Sequence, residues 1–379
     1  MHESGHGRSE VHLCYPGWCK FTSGAGNHLT GAAFSAALYS SKLIRQMMYD
    51  LRRIVGATLL TAAAFLSSVA ATDPAVGKLL AEGRVDNAIL LLQGKIDASP
   101  HDAESYNYLC RAYFMVGEWD PGIAACEKAV ALDPDNSEYH AWLGRIYGEK
   151  ADHSSFVTAA RLAGKVRNEF EAAVRLSPKS VDARADLADF YLEAPGIVGG
   201  GKDKAEAQAQ EIAKLDPAQG HRVEARIAEK KKDYAAAENE YRLAIQASGG
   251  KAGTWLNLAR FYRHTGRLDE MEDALKHATA PEMNRPDLLM GAAEMLINAG
   301  RYLPEATQFL RRYLSSGATV EDAPVFKAHY LLGTILERED KQAAAAEYRA
   351  ALSLAKDFSP AQNALNRLQH QTSGAISPD

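Results

Sequence analysis

YNYLCRAYFMVGEWDPGIAACEKAVALDP, residues 106–134, decides the fold. Bulky residues Tyr106, Leu109 and Tyr113 fall three to four apart, as one helical face requires. The run breaks at Gly117, and a second apolar face follows at Ile123, Cys126, Val130 and Leu132. The stretch predicts two amphipathic helices in a hairpin. HAWLGRIY, from His140 to Tyr147, restates the first helix about one 34-residue period later, so the hairpin is one unit of a repeat.

Working outward, Gly83, Val85, Ala88, Leu92 and Pro100 fill the turn and second helix of a first unit. In the third unit Leu143, Gly144 and Tyr147 lead, but the partner helix arrives late, at Phe170, Ala173 and Pro178. The extra residues near 148–169 carry Phe156, Ala160, Leu162, Val166 and Phe170 at helical spacing behind Ser154 or Ser155, so they lengthen the second helix. A second insert, near 194–203, interrupts the fourth unit. The fifth, marked by Tyr234, Ala237, Tyr241 and Ala244, has a first helix expected to be polar and short. Three looser units follow, led by Trp255, Met290 and Leu332, and Pro360 to Leu368 supplies a capping helix.

This pattern of an aromatic, Leu-Gly, Tyr, a turn glycine, Ala, an aromatic, Ala and a closing Pro resembles the tetratricopeptide repeat, over residues 72–369. The resemblance implies an all-α fold, an α-solenoid in which about eight helical hairpins stack as a right-handed superhelix with first helices lining the concave face. Each hairpin buries only part of its apolar face, so large residues must pack on the next one. Small residues at the Gly144 and Ala173 positions let the helices approach.

The beginning of the chain reads differently. Residues 1–46 hold four of the twelve His and two of the four Cys, with no sustained amphipathic period, and their spacing fits no zinc finger or ribbon. Residues 47–71 place Arg52 and Arg53 before an apolar run from Ile54 to Leu66 and an Ala-rich end, the plan of a secretory signal peptide. Met47 or Met48 then becomes the expected start, residues 1–46 a disordered or spurious extension, and the mature chain periplasmic or secreted. The alternative is an uncleaved membrane anchor through residues 54–71, although the apolar core is short for a span. Residues 370–379 are expected to be a disordered tail.

A net charge of −5 and a pI near 6.2 give no electrostatic reason to expect nucleic acid. No nucleophile, base and orienting residue come together, and no cofactor or metal is called for. GIVGGGKD, from Gly196 to Asp203, matches Gly-x4-Gly-Lys, but Asp203 replaces the Mg²⁺-binding hydroxyl and the preceding element is a predicted helix. Gly199, Gly200, Gly201 and Lys202 are read as a wide turn, with a contact to an anion or partner as the functional alternative.

Cys110 and Cys126 fall at similar heights on the two arms of one hairpin; they either form a disulfide in an exported protein or serve as small core residues. The second reading is the one favoured. Arg111 and Arg145 recur at equivalent positions of successive first helices, and Arg260 recurs farther along. Asn107 and Arg111 resemble, in part, the Lys and Asn clamp by which family members hold a peptide's terminal carboxylate, and the rest of that clamp is missing. The opposing reading pairs Arg145 with Asp189 or Glu149 in a solvated ladder. The expected function is a non-enzymatic scaffold for a protein or peptide partner outside the cytoplasm, meeting the membrane only if the leader stays uncleaved. The alternative is an accessory subunit of an envelope enzyme, or an enzyme whose site the sequence hides.

Overall fold

A computed structural model describes residues 14–15, 18–19, 74–280 and 285–374. The leader, the candidate anchor and the last five residues lie outside these. Near the N-terminus, strand β1 (Cys14–Tyr15) pairs antiparallel with β2 (Trp18–Cys19). Everything else that is regular among the described residues is helical.

Hairpins follow one another along the chain: α1 (Pro74–Ala81) and α2 (Val85–Ala98), α3 (Ala103–Val116) and α4 (Trp119–Leu132), α5 (Ser137–Asp152) and α6 (Phe156–Leu176). Next come α7 (Val181–Glu193) and α8 (Lys202–Leu215), α9 (Pro217–Lys231) and α10 (Tyr234–Ala247), α11 (Ala252–His264) and α12 (Leu268–Ala278). The series ends with α13 (Asp287–Ala299) and α14 (Leu303–Ser316), α15 (Val325–Leu336) and α16 (Lys341–Leu354), and α17 (Ser359–Gly374). First helices of successive hairpins lie close together and second helices do not, so α3, α5, α7, α9 and α11 line the inner face.

Local chemistry sets the boundaries. Asp102, Asn136, Ser180 and Asp216 cap α3, α5, α7 and α9 by accepting bonds from backbone amides of the first turn. Gly117 closes α3 at φ +81°, a conformation glycine reaches without the Cβ penalty. Between the helices of the third hairpin, Gly144 faces the Phe170 ring, and a Cβ there would stand 2.5 Å from it.

The two insert regions take different forms. The first extends α6 to 21 residues, although the Ser155 side chain bonds Thr158 and no backbone amide. The second forms a short 3-10 turn, Gly196–Val198, and Gly199 beyond it lies against Arg167 of α6, so the two inserts meet. Two expectations need correction. α9 is polar but has a full 15 residues, because Asp216 ends α8 and caps α9 without an intervening loop. α17 runs to Gly374, so the tail expected from residue 370 begins in a helix.

The ends of the array also meet. A Cβ on Gly83, in the turn between α1 and α2, would stand 3.0 Å from the Val325 amide nitrogen and 3.4 Å from the Phe326 ring. Asp86 accepts a hydrogen bond from the Lys356 amide at 3.0 Å. Val76, Leu80, Val85 and Leu92 therefore share one buried cluster with Phe326, Tyr348, Phe358 and Leu368, and Phe326 packs edge-on against Phe358.

Candidate functional site

The inner face of α3, α5 and α7 concentrates charge on an aromatic platform. Asn107 and Arg111 stand four apart on α3 and hence on one side of it. Arg145 takes the equivalent place on α5, and Trp142, 8% exposed, is close to both arginines. The Arg111 guanidinium stands 5.1 Å from the Trp142 ring and 4.8 Å from Tyr108; the Arg145 guanidinium stands 4.9 Å from Trp142. At these distances the ring faces attract both cations and favour their being held over the aromatic platform.

Each arginine is engaged by a carboxylate. Arg111 donates from Nε to Glu321 Oε1 at 2.9 Å and from Nη2 to Oε2 at 2.5 Å, a forked pair closed across 210 residues of chain. A longer contact of 3.4 Å reaches Glu138. Burial opposes the Arg111 charge, and the facing Glu321 more than offsets it, raising the pKa. Arg145 donates to Asp186 Oδ2 at 2.7 Å, and Asp186 is 4% exposed. Its pKa is likewise raised, against burial, by Asp186, Asp182 and Asp322.

The ladder reading of Arg145 is thereby corrected: its acid is Asp186, one turn before Asp189, and the pair is buried rather than solvated. Asp189, fully buried, instead accepts from Arg222 at 3.4 Å and Arg226 at 3.1 Å, both on α9. Asn107 is 3% exposed, and its Nδ2 has no hydrogen-bond acceptor. A buried amide donor in that condition is costly, and a ligand oxygen would satisfy it.

Arg260 stands apart from this group. It donates to Asn257 at 3.1 Å on α11, and desolvation, with Arg226, Arg263 and Arg222 nearby, brings its pKa down to about 10. It belongs to the arginine-rich stretch of α9 and α11, and the structure does not bring it to Arg111.

The glycine loop makes no cradle. The amides of Gly199, Gly200 and Gly201 donate to the carbonyls of Gly196, Pro195 and Tyr191, closing the end of α7, and are not available to an anion. A Cβ on Gly200 would fall 1.8 Å from the Ala194 oxygen, so the glycine serves close backbone packing. Lys202 opens α8 beside Asp203. The anion reading of Gly199, Gly200, Gly201 and Lys202 thus loses the donors it required.

Cys110 and Cys126 are joined in a disulfide, with Cα atoms 5.2 Å apart, between α3 and α4. The reading of both as reduced core residues gives way because the helix crossing brings the two side chains within bonding distance. Sequence reasoning missed Trp142, Asp186 and Glu321. Trp142 sits at the repeat's usual aromatic position, which reads as packing, and Glu321 lies in a loop with no periodic signal. Among the described residues, no group of His, Cys, Asp and Glu is arranged to hold a metal, and no helix is long and apolar enough to cross a membrane.

Family models of the tetratricopeptide repeat match residues 79–146 and 252–280. The first match contains α3, α4 and most of α5; the second is the hairpin of α11 and α12. Among solved structures the chain is similar to a thermophilic TPR protein of Thermus thermophilus, at 18% identity over 47% of this chain and 91% of that one, with a TM-score of 0.40. It is similar to a tetratricopeptide repeat protein of Parabacteroides merdae, at 13% identity over 75% and 92%, with a TM-score of 0.39. A third is YrrB, described as a TPR protein with an unusual peptide-binding site, at 16% identity over 49% and 90%, with a TM-score of 0.32. A search of the curated proteins finds no match.

Proposed function

Starting from a chain that belongs to the tetratricopeptide-repeat family, we propose that it is a non-enzymatic scaffold that binds an extended acidic segment of a partner protein on the inner face of α3, α5 and α7. One observation carries the reading: Arg111 and Arg145 both stand about 5 Å from the Trp142 ring, each already holding a carboxylate of the chain itself, with the unsatisfied Asn107 amide a turn from Arg111. Planar guanidiniums give forked, oriented contacts that suit carboxylates along an extended chain.

We place this function outside the cytoplasm. The Cys110–Cys126 disulfide supports that location, since such bonds persist in oxidising compartments, and so does the Arg52–Arg53 leader. N-terminal sequencing of the mature chain checks it: the expected first residue follows Ala70 or Ala71, and a cytosolic chain starting at Met48 overturns it.

The binding claim is tested by capturing partners from an envelope extract with the purified full chain and with Arg111→Ala and Arg145→Ala variants. Arg111→Ala is expected to weaken a captured partner about tenfold, the effect of one charge-assisted contact. Unchanged capture overturns the proposal. Arg145→Ala carries a second expectation, a loss of stability of about 3–5 kcal/mol in chemical denaturation, because it takes the guanidinium from buried Asp186.

A further inference from the structure

The segment between α14 and α15, residues 317–324, reads GATVEDAP and reaches the inner face from the far end of the array. Its C-terminal end is anchored: Ala323 is 1% exposed, its carbonyl accepts from the Tyr313 hydroxyl, and Pro324 precedes α15. Its N-terminal end leaves α14 through Gly317 at φ +66°. Between these fixed points Glu321 sets both carboxylate oxygens on Arg111, and Asp322 follows it directly in the chain. An acid from the far end of the array thus forks onto an arginine of the inner face, with a second acid next to it in the loop.

We propose that Glu321–Asp322 is a built-in competitor: the chain's own acidic dipeptide occupies the place of the partner's carboxylates, and an acidic peptide binds by displacing it. This rests on the reading of the inner face as a peptide site. The geometry favours a substitute over a purely structural strut in two respects. The fork on Arg111 is made by a loop side chain and not by a packed helix, so it can swing away without unpacking a core. The site is also left incomplete, since Glu321 satisfies Arg111 while the Asn107 amide keeps no acceptor. A ligand that offers a further oxygen at Asn107 gains a bond that Glu321 does not make.

Tethering makes the competitor effective. A short loop anchored at both ends presents its carboxylate at an effective concentration on the order of millimolar, so a free peptide meets a site already filled. Removing the Glu321 carboxylate removes the competition and leaves the arginines in place.

The probe is a fluorescently labelled synthetic peptide of residues 317–324, titrated by polarisation into the full-length protein. Glu321→Ala is expected to bind it about tenfold or more tightly than the unsubstituted chain. Glu321→Gln, which keeps the side chain's shape, should show a gain in the same direction. Adding Arg111→Ala to Glu321→Ala should abolish the gain, and a probe with Gln in place of its Glu should bind neither form. Equal affinity of the unsubstituted and Glu321→Gln proteins overturns the proposal, as does a gain that survives Arg111→Ala. Should Glu321→Ala fail to fold, Glu321→Gln decides. If this peptide behaves as expected and envelope capture is indifferent to Arg111, the claim of an envelope partner at this face fails, and only the displacement of Glu321 from Arg111 by an acidic peptide stands. If capture depends on Arg111 and the peptide shows no gain, the competitor alone fails.

Discussion

Single atoms decide several of the tightest contacts. Gly144 and Gly164 both lie inside helices, yet a methyl group would meet opposite fates at them. At Gly144 the added Cβ stands 2.5 Å and 2.6 Å from two ring carbons of Phe170, which is 1% exposed and has nowhere to turn. Gly144→Ala should therefore cost about 1–3 kcal/mol by overpacking. At Gly164, in the lengthened part of α6, nothing lies within 4 Å. Gly164→Ala should stabilise by about 0.5–1 kcal/mol through helix propensity and reduced unfolded-chain freedom. Urea denaturation of the two variants checks both signs, and equal effects would show that the close approach of α5 and α6 is not rigid.

At the scale of the element, the α3–α4 hairpin is the part of the chain most constrained by its own chemistry. It has an aspartate cap at Asp102, a left-handed glycine at Gly117 and a disulfide that closes a 16-residue separation. The bond sits in a place that is buried on every side, with Cys110 and Cys126 both 0% exposed. Closing a loop of that length is worth about 3 kcal/mol by restricting the unfolded chain. Cys110→Ala with Cys126→Ala is expected to lower the stability by about that amount, and a reducing agent should lower the melting temperature of the unsubstituted chain but not of the double variant. The same hairpin carries Asn107 and Arg111. An indifferent melting temperature under reduction would remove the disulfide from the account.

For the whole molecule, the consequence comes from the meeting of the first and last hairpins. In an open stack, distant repeats respond independently to damage, because each touches only its neighbours. Here a Cβ added at Gly83, at φ +70°, would stand 3.0 Å from the Val325 amide nitrogen, whereas one added at Gly266, at φ +74° in the corresponding turn of a middle hairpin, would have nothing within 4 Å. Both Gly83→Ala and Gly266→Ala incur about 1–2 kcal/mol of left-handed strain. Only the first should speed hydrogen exchange in α15 to α17 as well as in α1 and α2, while the second should speed it around α11 and α12 alone. Matching local effects in both variants would show that the ends are not coupled. By itself the sequence determined the period, the hairpins, the lengthened α6 and the positions of Gly144, Asn107, Arg111 and Arg145, because helical spacing and turn glycines are local and repeat along the chain. Only the tertiary structure decided that Gly83 meets Val325, that Arg145 takes Asp186 and leaves Asp189 to α9, and that Glu321 reaches Arg111 across 210 residues. Those contacts depend on the rotation accumulated from each hairpin to the next, a sum of small packing angles that no single stretch of residues encodes.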